Sequence, residues 1–244
     1  MYKLEMHLHV LGTSPCAMTD EKTIAEIYSK NGYNGIVYTS HYNSFLREYY
    51  KFKDFGEYNE NFIKHYLILK TECAKKSIDV FFGMEFMPDE TSYYIEDAFN
   101  AEFLIYGVTP DKIGDFQRLL KENTVCMRNY CRENGYLVSQ AHPFRSMINY
   151  RNPDVLDGVE VLNGNPRQNS RNDMAKKFAE ENGLIMTAGS DFHETEDCVS
   201  GVILENAVKT EQELVAELKR RKHTRLYSNY IKTDMNIKSP RGEH

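Results

Sequence analysis

Short runs of β-branched and apolar residues alternate along this chain with longer amphipathic stretches. Leu4–Val10 precedes a helical pattern over Thr19–Lys30, and Gly35–Thr39 precedes one over Asn59–Lys76. Ile78–Met84 and Ala101–Val108 come before another over Asp111–Glu133. Strand patterns at Tyr136–Gln140, Gly158–Leu162, Leu184–Thr187 and Gly201–Leu204 follow, with helical ones at Ser170–Glu181 and Thr210–Lys222. Asn31-Gly32, Asn134-Gly135 and Asn182-Gly183 each stand where a helix must end in a left-handed residue, and each leads into a strand. The alternation predicts parallel pairing. A single sheet of about seven strands with no linker between halves favours a closed or nearly closed α/β barrel over residues 1–238, with a doubly wound open sheet as the alternative. Residues 239–244 read as a polar tail.

Composition narrows the class. With 244 residues, 41% of them hydrophobic and 27% charged, the chain can bury one sizeable core without disulfides. Thirty Lys and Arg against thirty-six Asp and Glu leave a net charge of -6, which disfavours long nucleic acid as a partner. The one basic run, Lys219-Arg220-Arg221-Lys222, closes a helix where positive charge suits the dipole. No apolar stretch approaches membrane-spanning length and Met1–Glu5 lacks the apolar region of a signal peptide, so a cytoplasmic protein away from membranes is expected. Cysteines 16, 73, 126, 131 and 198 are odd in number and form no CxxC pair, which points to reduced thiols.

The chemistry gathers at the expected C-terminal ends of the strands, where barrels carry their active sites. These ends read His7-Leu8-His9, Thr39-Ser40-His41, Gly83-Met84-Glu85, Gln140-Ala141-His142-Pro143 and Gly189-Ser190-Asp191-Phe192-His193. His7 and His9 are two apart on an extended chain and share a face, as do Asp191 and His193. Imidazoles and carboxylates crowded together without a cation would cost several kcal/mol for each uncompensated buried charge, so divalent metal is the simpler reading, with Zn, Mn or Fe suited to such ligands. His65, His223 and His244 fall in helical or tail segments and enter no such set.

This ordered series of HxH, Thr-x-His, Gly-x-Glu, His-Pro and Gly-Ser-Asp-x-His, spread over most of the chain, resembles the polymerase and histidinol phosphatase (PHP) family of metal-dependent phosphoesterases. The resemblance implies a distorted seven-stranded (β/α) TIM-like barrel with a trinuclear metal centre at its rim. It implies that His7, His9, Glu85 and Asp191 serve one ion, that Glu85 bridges to a second ion also held by His142, and that His41 and His193 serve a third. Two to three divalent ions per chain are therefore expected, with His7, His9, Glu85, Asp191 and His193 essential to catalysis. Three positions depart from the family pattern. Ser40 replaces an Asp and is not a ligand; the loop after HxH offers only Cys16, either a ligand of the third ion or a small buried thiol; and Glu102 stands near the place of a second-ion His, either as a carboxylate substitute or as a solvated surface residue.

A centre of this kind retains net positive charge after Glu85, Glu102 and Asp191 are counted and so attracts an anion. The expected function is hydrolysis of a small phosphomonoester or short nucleotide by a metal-bound hydroxide, with a small anionic phosphate ester as partner. A phosphodiesterase or exonuclease, or a catalytically silent metal-stabilised interaction module, are the alternatives. Arg145 and Arg167 lie on loops just after strands and could fork onto phosphate oxygens, unless they are simply exposed; Arg171 is a weaker candidate. The aromatic-rich insertion His41–Tyr58 is either a lid or ordinary packing, and its helical spacing of Phe45, Tyr49 and Phe52 favours packing.

Overall fold

The computed structural model describes residues 1–94, 100–148, 151–197, 199–220 and 225–228. Cys198, Arg221, Lys222, His223 and the tail 239–244 with His244 lie outside the described residues. The chain forms β1 (Tyr2–Glu5), α1 (Glu21–Lys30), β2 (Gly35–Tyr38), β3 (His41–Tyr42), α2 (Ser44–Tyr49), α3 (Phe55–Ala74) and β4 (Asp79–Phe86). It continues with β5 (Phe103–Tyr106), α4 (Ile113–Leu119), α5 (Thr124–Glu133), β6 (Leu137–Gln140), β7 (Gly158–Asn163), α6 (Asn172–Glu181), β8 (Ile185–Gly189), β9 (Ser200–Leu204), α7 (Glu211–Lys219) and β10 (Arg225–Ser228).

Local chemistry sets these boundaries. Asp20 caps α1 by accepting from the Thr23 amide, and the helix ends at Asn31 before Gly32 at φ +71°. Gly135 and Gly183 adopt the same left-handed conformation after α5 and α6, as their Asn-Gly pairs predict. The single helix expected over Asp111–Glu133 is two, because Asn123 turns the chain and caps α5 through the Cys126 amide.

Strand order is β10-β9-β1-β2-β4-β5-β6-β7-β8, with β3 also paired to β4. The wholly parallel, roughly seven-stranded sheet expected from the alternation is corrected in two ways: the described residues form ten strands, and β5 runs antiparallel to both β4 and β6, as β9 does to β1 and β10. The barrel is distorted and nearly closed. Its seam is shut by a parallel bridge between Leu8 and Phe192, just beyond the ends of β1 and β8, with His9 N donating to Phe192 O (3.0 Å) and Phe192 N to His7 O (3.3 Å).

Strand side chains alternate between two apolar layers. Met6, Val37, Phe81, Leu104, Leu137 and Ala188 share the layer common to strands around the barrel, joined by Leu214, Val215 and Leu218 of α7. Ile36, Tyr38 and Phe82 face the other way, against Ile24, Tyr28, Phe62 and Leu69 of α1 and α3. Gly107 at φ +92° lets α7 approach, since a Cβ there would lie 2.7 Å from Val215 Cγ2. No helix among the described residues is long and apolar enough to cross a membrane.

Candidate metal centre

The seam bridge decides where the histidines point. Leu8 and Phe192 bury their side chains in the layer beneath the helices. Their chain neighbours His7, His9, Asp191 and His193 therefore face the opposite side together. The end of β4 adds Glu85, β3 adds His41, and the turn after β6 adds His142. Antiparallel β5 brings its beginning, not its end, to this rim: Phe103 pairs with Phe86, which sets Glu102 beside the cluster. Glu102 is buried there, 3.2 Å from His41 Nδ1 and 3.6 Å from His142 Nε2, and its Oε2 accepts from the Tyr93 hydroxyl at 3.0 Å.

Glu85 is the hub. Its Oε1 lies 3.2 Å from both His7 Nε2 and His142 Nε2, and its Oε2 lies 2.8 Å from His41 Nδ1 and 3.4 Å from His9 Nε2. Asp191 Oδ1 lies 3.2 Å from His9 Nε2 and 3.5 Å from both His7 Nε2 and His193 Nδ1. His9 stacks on His193 with ring centroids 4.3 Å apart. Asp191 and His142 hold φ +50° and +28°, backbone states that L-residues enter only under tertiary constraint.

Four overlapping groups each bring ligand atoms within 4.8 Å of one another: His9, His41 and His193; His7, His9 and Glu85; His7, His142 and Asp191; and His41, Glu85 and Glu102. His9 Nδ1 and His142 Nδ1 are buried without a hydrogen-bond partner, and His41 Nδ1 and Glu85 Oε2, though 2.8 Å apart, are not aligned for a hydrogen bond. Lone pairs left over in such a cluster fit bound cations, whose charge would also offset the clustered carboxylates.

Electrostatics follow the same logic. Burial alone would lower the His7 pKa, but Glu85, Glu160 and Asp191 hold it well above its usual value. His41 is raised against the same burial by Glu85, Glu102 and Cys16, and His193 by Asp191 and Cys16. His9 is pushed well below by burial and by neighbouring His193 and His41. Burial opposes ionisation of Glu85 and Asp191, yet His7 and His41 hold Glu85 well below the carboxylate range, and Arg145, His7 and His193 do the same for Asp191. Desolvation also works against the Cys16 thiolate, but His41 and His193 bring the thiol down to about 6.

The cluster opens into a cleft of about 420 Å³ lined by residues including Cys16, Tyr93, Tyr94, Arg145, Met147 and Gln168. Phe45 stacks on Tyr94 at its edge, centroids 3.8 Å apart, so this part of the aromatic insertion packs against a cleft wall. The Arg145 guanidinium donates to Asp191 Oδ2 and to Asn163 Oδ1 (3.1 Å), while its Nε has no hydrogen-bond partner. Arg167 does not line this cleft; its guanidinium grips both carboxylate oxygens of Asp197, whose Oδ2 accepts from the His193 amide at 2.8 Å. In this position it braces the turn carrying His193. Ser40 is a backbone organiser, its Oγ accepting from Val10 N and the Thr13 hydroxyl.

Two buried carboxylates escaped the sequence reading. Glu5 accepts from the amides of Met6, His7 and Ser190 and from the hydroxyls of Tyr28 and Ser190, tying the end of β1 to the end of β8. Burial outweighs these bonds and pushes its pKa up to about 7. Glu160 on β7 accepts from His7 Nδ1. Both were legible in principle, since a charge inside a strand covered on two faces must have partners.

Residues 169–223, spanning α6 to the end of α7 with the Gly-Ser-Asp-x-His motif between them, match the family model described as PHP-associated. The chain superposes on PsfC from Pseudomonas syringae at 13% identity with a TM-score of 0.59, covering 95% of this chain and 92% of that one. A two-domain protein from Bacteroides vulgatus, containing a predicted PHP-like metal-dependent phosphoesterase, gives 13% identity and 0.58 over 93% of this chain and 64% of that one. This chain has the PHP fold. A protein from Bifidobacterium adolescentis assigned as a metal-dependent phosphoesterase shares it too, at 13% identity and a TM-score of 0.51 over 90% of this chain and 96% of that one. Matched segment and fold together support a PHP-family protein. No curated protein sequence matches the chain.

Proposed function

We propose that this PHP-type chain is a metal-dependent phosphoesterase that hydrolyses a small phosphomonoester or short nucleotide at a centre of two to three divalent ions. The observation that carries this reading is the overlap of the four ligand groups, which share His7, His9, His41 and Glu85 and reach the cleft through His41, Glu102, His142, Asp191 and His193. A single tetrahedral ion cannot use so many donors. Zn, Mn and Fe all suit imidazole mixed with carboxylate.

Bound ions would supply Lewis acidity, drawing phosphoryl oxygens to the cluster and easing the ionisation of water. The protein's own groups do the rest. His7, His9 and Asp191 would hold one ion, His142, Glu102 and shared Glu85 a second, and His41, His193 and Cys16 a third. Arg145, anchored through Asp191 and Asn163, lines the cleft and would offer its guanidinium charge to a phosphoryl oxygen. Tyr93, Tyr94, Met147 and Ile148 wall the cleft, whose volume suits a small leaving group. Free thiols at Cys16, Cys73, Cys126 and Cys131 suit the reducing compartment that a cytoplasmic enzyme would occupy.

The net charge of -6 disfavours an exonuclease that tracks long nucleic acid. Metal-loaded protein should turn over p-nitrophenyl phosphate faster than its bis ester. Preference for the bis ester would favour the phosphodiesterase reading, and no turnover of a broad phosphate-ester panel by fully loaded protein would favour a silent metal-stabilised module.

A further inference from the structure

Glu160 is fully buried on β7 between Val159 and Val161, where an unpaired carboxylate would cost several kcal/mol. Three donors satisfy it, and each belongs or leads to the metal cluster. His7 Nδ1 lies 2.9 Å from Oε1, the His142 amide donates to Oε2 at 3.0 Å, and Asn163 Nδ2 donates to Oε2 at 2.9 Å. The same Asn163 amide reaches Asp191 Oδ2 at 3.3 Å.

We infer that Glu160 is the positioning residue of the centre, fixing His7, His142 and Asp191 in ligating geometry at once. An ionised carboxylate only accepts, so Nδ1 of His7 carries a proton, and it is Nε2, facing Glu85 and Asp191, that would give up its proton and offer a lone pair to a bound cation. His142 needs a restraint because its φ of +28° is strained, and Glu160 grips its amide. Asn163 passes the constraint to Asp191 from the oxygen opposite the one facing His9. No hydrogen bond joins Glu160 to His41 or His193 among the described residues, so its control covers one side of the cluster.

This inference rests on the metal-dependent reading above, and zinc affinity separates the two. Glu160→Gln fills the same space but loses the charge and one acceptor oxygen, leaving an amide against the donors of His142 and Asn163. Metal-free wild type and variant, both checked for fold by circular dichroism, are titrated with zinc against a chromophoric chelator. The variant is expected to bind at least one ion about 10–100-fold more weakly, with the ion nearest His41 and His193 retained. A folded variant that matches wild type at every ion would overturn the role of Glu160 while leaving the metal-dependent reading intact. Wild type that binds no zinc would overturn both. Should the variant not fold, long-range proton–nitrogen NMR on zinc-loaded wild type decides: a His7 proton on Nδ1 supports the inference, and zinc on Nδ1 with the proton on Nε2 defeats it.

Discussion

Leu8 and Phe192, far apart in the sequence, pair as a parallel bridge and so turn His7, His9, Asp191 and His193 together to one side of the seam. The bridge matters because β1 and β8 share no ladder of their own. Phe192→Ala should lower stability by about 3–5 kcal/mol, as for other fully buried aromatics, and weaken metal retention in the protein that remains folded. Denaturant unfolding with and without added zinc measures both, and normal zinc affinity in the folded variant would show that the bridge does not align these pairs.

The pKa shifts fix a pH dependence for the metal-free protein. His7, His41 and His193 have raised pKa values, so the stability they contribute is complete below their usual 6.5 and is lost as pH climbs through the elevated folded values. Glu5, raised from 4.5 to about 7, acts in the same direction. Glu85 and Asp191 have lowered values, and their contribution is complete above 4.5 and lost in acid. Cys16, brought down from 9.0 to about 6, works the other way over the same window, but it is one group against three histidines, so the melting temperature of metal-free protein should still fall from about pH 6.5 towards 9. Added zinc should remove the part due to histidine and leave the part due to Glu5, which ends soon after pH 7. Calorimetric scans across this range check the sign, and a melting temperature that rises with pH would contradict it.

Asp191→Ala and His193→Ala should each abolish phosphoesterase activity, but not at equal structural cost. Asp191 also neutralises Arg145, so its loss strands a mostly buried guanidinium, at about 3 kcal/mol or more. His193→Ala should remain close to wild-type stability once metal is removed from both. Comparing the metal-free melting temperatures tests the difference, and near-normal turnover by either fully loaded variant would remove that residue from the centre.

Glu102→His should retain an ion beside His142 and move the alkaline onset of activity to lower pH, because a neutral ligand leaves the ion more acidifying. Glu102→Ala should empty or weaken that position and also free the Tyr93 hydroxyl. Metal titration with a pH–rate profile distinguishes the two variants, and silence from both would exclude Glu102 as a ligand.

In metal-free protein Cys16, held near a pKa of about 6, should alkylate well below the pH that buried Cys73 and Cys131 require, since both of those are pushed up to about 12. Zinc should protect it if it is a ligand. Mass spectrometry after iodoacetamide treatment across pH reads this at the single residue, and equal labelling with and without zinc would argue against ligation.

The repeating strand–helix rhythm and the ordered His and carboxylate motifs made the barrel and most of its rim legible in the sequence. Strand direction was not, because apolar alternation in Phe103–Tyr106 is the same read either way. That blindness is also why Glu102 was ambiguous: at the start of a parallel strand it would sit at the far end from the rim, and only the reversal of β5 brings it to His142. Arg167 looked like Arg145 from its loop position, yet Asp197, thirty residues further on, captures its guanidinium. Glu5 and Glu160 were hidden for a different reason, since long-range partners such as Ser190 and His7 decide whether a charge within a strand is tolerated.

The seam also has a topological meaning. An ion held jointly by His9 and Asp191 would cross-link two points far apart in the chain and close the stretch from the end of β1 to the end of β8 into a loop. For a loop of that length the lost chain entropy of the unfolded state amounts to about 5 kcal/mol if the ion stays bound there. An ion held there would also brace the bridge, so the seam would part only after the ion had left through the cleft. Loaded protein would then unfold more slowly than metal-free protein, by an amount set by the ion's own departure.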